Sequence, residues 1–257
     1  MKTTSLIFTL LFLMPVLIFA QTATEKKTDD TTNKVDASNR RTGYWEEKIG
    51  DQIMKGYYVN DKRTGTWILC VNTGLLQKLE SYDNGLKNGI SISLDRKGHL
   101  KNQEYYKNDK LSGLSVTYGM YSEMPLSQIN YIDGVKNGVS KLYYDNGKIQ
   151  EEAIYKAGVK EGPSKWYSSA GRLLALYNYH NGQFEGVQET FYENDSVQTA
   201  TMYSNNIING GYKEFYRNGI IKLSGSYINA IKEGAWIEYD ETGKAVKTTK
   251  YKKGVAK

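Results

Sequence analysis

Two histidines, one cysteine and a few adjacent acids are the side chains of this sequence that could run a catalytic or metal site. His99 and His180 fall at different places in the recurring pattern set out below, in units that do not adjoin, so a shared substrate or ion is not expected. Cys70 stands alone and can form no intrachain disulfide. Its counterparts in the pattern are aromatic or leucine, so a buried, inert thiol is expected; a nucleophilic one would need a basic neighbour. Glu46-Glu47 and Glu151-Glu152 are adjacent, and neighbours on a strand point to opposite faces. Neither pair can then serve as acid and base on one substrate. No metal-ligand spacing, phosphate-cradling loop or nucleophile elbow occurs. The sequence predicts no enzyme and no cofactor.

Binding is the chemistry it does suggest. Arg63, Lys87, Lys136, Lys160 and Lys232 recur at one place in the pattern, interrupted by Leu111, Phe184 and Ile208. The expectation is a broken basic stripe of exposed turns along one edge, suited to an acidic protein or an anionic lipid surface, or simply to solvent. A formal charge of +6 is modest for 257 residues and Arg is sparse, so nucleic acid is not an expected partner.

The elements that place these residues follow from one periodicity. Tyr58, Tyr82, Tyr106, Tyr131, Tyr155, Tyr179, Tyr203, Tyr227 and Tyr251 are spaced by 24 residues, except for one extra between Tyr106 and Tyr131. Seven places after each of the first eight stands a glycine: Gly65, Gly89, Gly113, Gly138, Gly162, Gly186, Gly210 and Gly234. Such a period marks a repeat architecture, in which each unit buries its apolar face only against its neighbours. Three residues after Tyr come Gly, Asn or Asp in all but one full unit, which predicts a turn. Asp145-Asn146-Gly147 and Arg217-Asn218-Gly219 mark a second turn. Between the turns lie two short strands, one carrying an aromatic residue or its Leu or Cys substitute, the other an aliphatic residue and the Tyr. The fold expected is all-β: an elongated antiparallel meander of β-hairpin repeats, a monomer, with sixteen strands spanning roughly 75 Å at ~4.8 Å each.

The glycine seven places after Tyr admits two explanations, an aromatic ring packed on bare backbone or a positive φ at the strand entry. Arg41, Gly43 and Trp45 match Arg63, Gly65 and Trp67, predicting a capping hairpin over 42–58. The third unit is irregular between Tyr118 and Leu126: it contains an extra residue, lacks the turn glycine and holds Pro125. The first twenty residues read as an export signal: Lys2, an apolar run from Leu6 to Phe19, and cleavage at Ala20-Gln21, though Ile18 departs from the small-residue preference. The run is shorter than the ~20 residues that span a bilayer. Residues 21–41 are polar and read as a flexible tether, leaving 42–257 for the array. The protein is thus expected outside the cytosol.

Tyr131-Ile132-Asp133-Gly134-Val135-Lys136-Asn137-Gly138 followed by Tyr143-Tyr144-Asp145-Asn146-Gly147 resembles a MORN repeat of the bacterial variant type. Tyr155-Lys156-Ala157-Gly158-Val159-Lys160-Glu161-Gly162 with Trp166-Tyr167 is similar to it too. The resemblance extends over about 42–254 and departs at Asp61, Asp109, Asn206 and Ala230, where the first glycine is replaced. It implies hairpin arrays that act as scaffolds or binding surfaces, here toward an envelope protein, with envelope glycan or anionic lipid as the alternative. Members of the variant often carry an antitoxin label, which fits poorly with an export signal.

Overall fold

The computed structural model describes residues 32–120 and 123–257. Thr31–Lys257 form one unit; the export signal and the start of the tether lie outside the described residues. Among the described residues there are twenty-two strands and no helix, and every strand pairs antiparallel with its neighbours in sequence, in a single open sheet. The exceptions are four short strands that are halves of two and do not pair with each other: Lys110–Leu111 and Gly113–Tyr118 both pair with Leu100–Lys107, and Gln183–Phe184 and Gly186–Phe191 both pair with Leu173–His180.

The first turn of each unit is a two-residue loop, as between Ile132 and Val135. Both loop residues have positive φ, +50° at Asp133 and +84° at Gly134, the type I′ geometry that matches strand twist. The replaced glycines keep it: φ is +63° at Asp61, +64° at Asp109, +66° at Asn206 and +64° at Ala230. At Asp61, Asp109 and Asn206 the side-chain oxygen accepts the amide N–H of Arg41, Lys87 and Phe184 in the preceding unit, at 2.9, 2.7 and 2.7 Å. The backbone stitches the same units together, with Gly158 N–H donating to Lys136 C=O and Gly182 N–H to Lys160 C=O, each at 2.9 Å.

The glycines seven places after Tyr have positive φ throughout, from +66° at Gly65 to +120° at Gly210. A Cβ at Gly65, Gly162, Gly186 or Gly234 would meet nothing within 4 Å. The positive φ is therefore the reason for this column, and ring packing is not. Each such glycine sits opposite the next Tyr, as Gly162 does Tyr179, at a bulge where Ile154 alone faces Glu161, Gly162 and Pro163.

Rings over bare backbone occur elsewhere. A Cβ on Gly56 would lie 2.2 Å from the Trp67 ring, and one on Gly225 2.2 Å from that of Trp236. These tryptophans stand nine places after Tyr, and that column, with Ser91, Ser140, Ser164 and Gln188, is the most deeply buried in the sheet. At the tryptophans, size is exchanged across it. Where the ninth residue is Trp, the strand before offers Gly; where it is Ser, it offers Glu80, Ile129 or Ala153. The anchor tyrosines flank this column, Tyr58 fully buried and the others half-buried. The aromatic and aliphatic residues beside the second turn face each other as expected, Tyr167 opposite Leu173 and Phe191 opposite Val197. Cys70 is buried.

The capping hairpin is present as Arg41–Ile49 and Gln52–Val59, with Gly43 opposite Tyr58. The tether is shorter than expected. Lys34–Val35 pairs with Thr42 and Arg41, and Asn33 holds both the N–H and the C=O of Glu46, so the array begins before residue 42. In the third unit Pro125 opens the strand Pro125–Ile132, and the register shifts between Pro125 and Ser127.

Candidate interaction surface

The five cations form a column, but within strands and half-buried, not on exposed turns. Sequence counting places them next to the turn; the tightness of the two-residue loop puts them inside the strand that follows. Each lies opposite the Tyr of its own unit, as Lys136 does Tyr131 and Lys160 does Tyr155, and reaches over the ring of the next. Lys87 is 5.0 Å from the centre of Tyr106, Lys136 5.1 Å from Tyr155, Lys160 5.1 Å from Tyr179 and Lys232 5.2 Å from Tyr251, with Trp236 of its own strand at 4.1 Å. Arg63 lies 4.5 Å over Trp67, and Arg41 extends the column at 4.0 Å over Tyr58. Such contacts join cation–π attraction to burial of the aliphatic stem. One of the interruptions now has a reason. Phe184 fills the same slot with a ring, 4.9 Å from Tyr179 and 5.5 Å from Tyr203. The slot selects a side chain that packs on tyrosine, and charge is one way to do so.

Carboxylates complete the face. Glu47 pairs with Arg41 at 3.1 Å and Arg63 at 3.4 Å, Glu80 with Lys78 at 2.9 Å and Lys87 at 2.6 Å. Glu151 is paired with Lys160 and accepts the Ser164 hydroxyl at 2.9 Å. Burial opposes the charge on Glu80, but Lys78, Lys87 and the Tyr82 hydroxyl outweigh it and bring its carboxyl down to about 2. Burial pushes the phenols of Tyr82, Tyr155 and Tyr179 upward, so they stay neutral at physiological pH. His99 pairs with Asp95, and His180 with Glu161, each at 3.0 Å. No group of three or more His, Cys, Asp or Glu able to hold a metal occurs among the described residues.

The opposite face is less covered, and sequence reasoning passes it over. The residue before each Tyr points there, paired with the residue after the bulge glycine of the preceding strand. These pairs are Tyr44–Tyr57, Ile90–Tyr105, Val139–Ile154 and Val187–Met202. Tyr57, Tyr105, Val139, Ile154, Val187 and Met202 are between 38% and 53% exposed. Units between them carry Thr66–Ser81, Leu114–Asn130, Pro163–Asn178 and Gly211–Ser226. Apolar pairs thus recur in alternate units as far as Val187–Met202, ~19 Å apart at four strands, and the next such place holds Ala235 and Lys250. Asn130 and Asn178 brace the pairs that follow them, donating to the carbonyls of Val139 at 2.8 Å and Val187 at 2.6 Å. The signal was present in the residues preceding the tyrosines, where apolar and polar types alternate over most of the chain.

The family model described as MORN repeat variant matches residues 136–157. That stretch runs from the cation slot of one unit, through its bulge glycine and second turn, to the first turn of the next. Residues 136–157 thus match a MORN repeat of this variant. The other units share its turns and bulges. No curated protein matches the sequence. MORN repeats are non-catalytic modules that generally contact proteins or membranes. No helix among the described residues is long and apolar enough to cross a membrane.

Proposed function

We propose that this protein is an exported, non-catalytic scaffold of MORN-type repeats that binds another protein of the cell envelope through the uncovered face of its sheet. The observation that supports this reading is the set of exposed apolar pairs in alternate units. Apolar side chains grouped in this way on a surface mark interaction sites more often than scattered ones do. The basic column is the weaker candidate, because its charges are already matched by tyrosine rings and by Glu47, Glu80 and Glu151. Export rests on residues 1–20, and protein recovered from the envelope or medium should begin at Gln21. A full-length cytosolic species starting at Met1 would remove the envelope from this reading and favour the antitoxin label.

Tyr57 and Tyr105, exposed on the same face, also suit stacking on a sugar ring. Crosslinking in the native envelope separates the readings. A protein crosslinked to the array, with no retention on isolated cell wall or anionic vesicles, supports the scaffold. Retention on cell wall that a soluble sugar competes away supports the glycan alternative.

A further inference from the structure

Three units show what fills the space between neighbouring second turns. Tyr144, Tyr192 and Tyr216 open those turns, and each hydroxyl donates to a carbonyl of the next unit: Tyr167 at 2.8 Å, Phe215 at 2.7 Å and Tyr239 at 2.8 Å. In the first three units the same place holds Val71, Asp95 and Gly119. At Val71 and Asp95 the turn backbone is unchanged. Val71 N–H donates to Leu75 C=O at 3.0 Å and Asp95 N–H to His99 C=O at 2.8 Å, as Tyr144 N–H does to Lys148 C=O at 2.9 Å. Ser168 and Asp240 hold the same place in later units, but it is along the first three, where three successive units lack the ring, that the sheet opens into a groove of about 1090 Å³.

The groove is floored by Val71, Leu75, Leu94, Leu100, Tyr118 and Leu126. The carbonyls corresponding to those that accept tyrosine hydroxyls elsewhere belong to Leu94 and Tyr118, and neither Val71 nor Asp95 can offer a phenol to them. Its rim carries Arg96 and Lys101, both exposed. Two acids also line it, Asp51, which is exposed, and Asp95, whose carboxylate is taken up within the turn by the N–H groups of Lys97 and His99 and the His99 ring. The volume suits a short segment more than a lone ring.

We propose that this groove receives a tyrosine side chain from an acidic segment of a partner protein, the phenol taking the place that Tyr144, Tyr192 and Tyr216 take internally. The apolar floor holds the ring, a carbonyl of Leu94 or Tyr118 accepts the hydroxyl, and Arg96 and Lys101 attract the flanking acids. The proposal rests on the scaffold reading and assigns it a second, more selective contact at the turn edge.

The test uses the full chain and a fluorescent capped peptide, Glu-Glu-Tyr-Glu-Glu, with counterparts in which Phe replaces Tyr or Lys replaces Glu. The expected result is saturable binding of the Tyr peptide, with affinity about tenfold lower for each counterpart, one hydrogen bond or charge match being worth about that factor. Val71→Tyr should fill the groove, melt no lower than the parent and weaken Tyr-peptide binding about tenfold. Should Val71→Tyr fold poorly, Arg96→Glu with Lys101→Glu, both on exposed side chains, should weaken binding similarly. Absence of binding by the folded parent, equal binding of the Tyr and Phe peptides, or equal binding by parent and variants would overturn the proposal. The scaffold reading fails separately, by loss of the crosslinked envelope partner.

Discussion

At Gly225 and Gly162 the same substitution should fail for different reasons. A Cβ on Gly225 collides with the Trp236 ring, whereas at Gly162 it meets open space but φ is +79°. Both Gly→Ala changes should destabilise, the second by about 1–2 kcal/mol. Trp236→Ala alone should cost about 3–5 kcal/mol. Made in the Trp236→Ala background, Gly225→Ala should lose most of its effect and Gly162→Ala should keep all of it, a contrast that denaturant titration of the double variants reads directly. The buried acids give a second residue-scale expectation. The folded pKa of Glu80 is lowered from 4.5 to about 2. Its contribution is therefore complete above pH ~4.5 and is lost as pH falls toward 2. Glu80→Gln should destabilise by up to about 3 kcal/mol at neutral pH, and the gap to the parent should close across that window in a series of pH-dependent melts; a constant gap would show that Glu80 is not held as a charge. Lys160→Glu should cost about 3–5 kcal/mol, since it leaves buried Glu151 facing a like charge. Lys136→Glu, which gives up a ring contact, should cost about 1 kcal/mol. Equal melting of the two variants would contradict the placement of Lys160.

Among the elements, the two-residue loops carry the strongest constraint, because both residues must adopt positive φ. Ala230 does so at +64° with no side-chain oxygen to compensate. Ala230→Gly should therefore stabilise by about 1 kcal/mol, measured as a rise in denaturation midpoint, and no gain would mean that this turn is not strained. The turns, strands and capping hairpin were legible because Gly, Asn and Asp have backbone reasons to sit where they do. The deepest column was not. Trp67 and Trp236 share their position with Ser91 and Ser164, and the compensating Gly56 and Gly225 lie in other strands, so neither half shows one residue type along the chain. The cation column was found as a set and placed wrongly. Its members follow the turn closely in sequence, yet what fixes them is the ring of the next unit. The tether overran for a similar reason: Asn33 and Lys34 look like solvated residues, but they cover the edge of Arg41–Ile49 through backbone bonds that composition does not reveal.

For the described array as a whole, each hairpin is bonded to the hairpins before and after it and to nothing more distant, so stability should accumulate through neighbouring interfaces. Such a molecule spends one face on its own rings, cations and carboxylates. The other face bears Val139–Ile154 and Val187–Met202, pairs that the fold itself leaves half in water. The central claim is that this second face meets a protein partner. The most direct measurement is crosslinking in the native envelope with the parent and with Val139→Glu combined with Val187→Glu. Both substitutions are on exposed positions and should leave the melting transition within about 0.5 kcal/mol of the parent. The account predicts a discrete crosslinked partner for the parent and its loss from the folded double variant. Recovery of the same partner at the same yield from both proteins would contradict it.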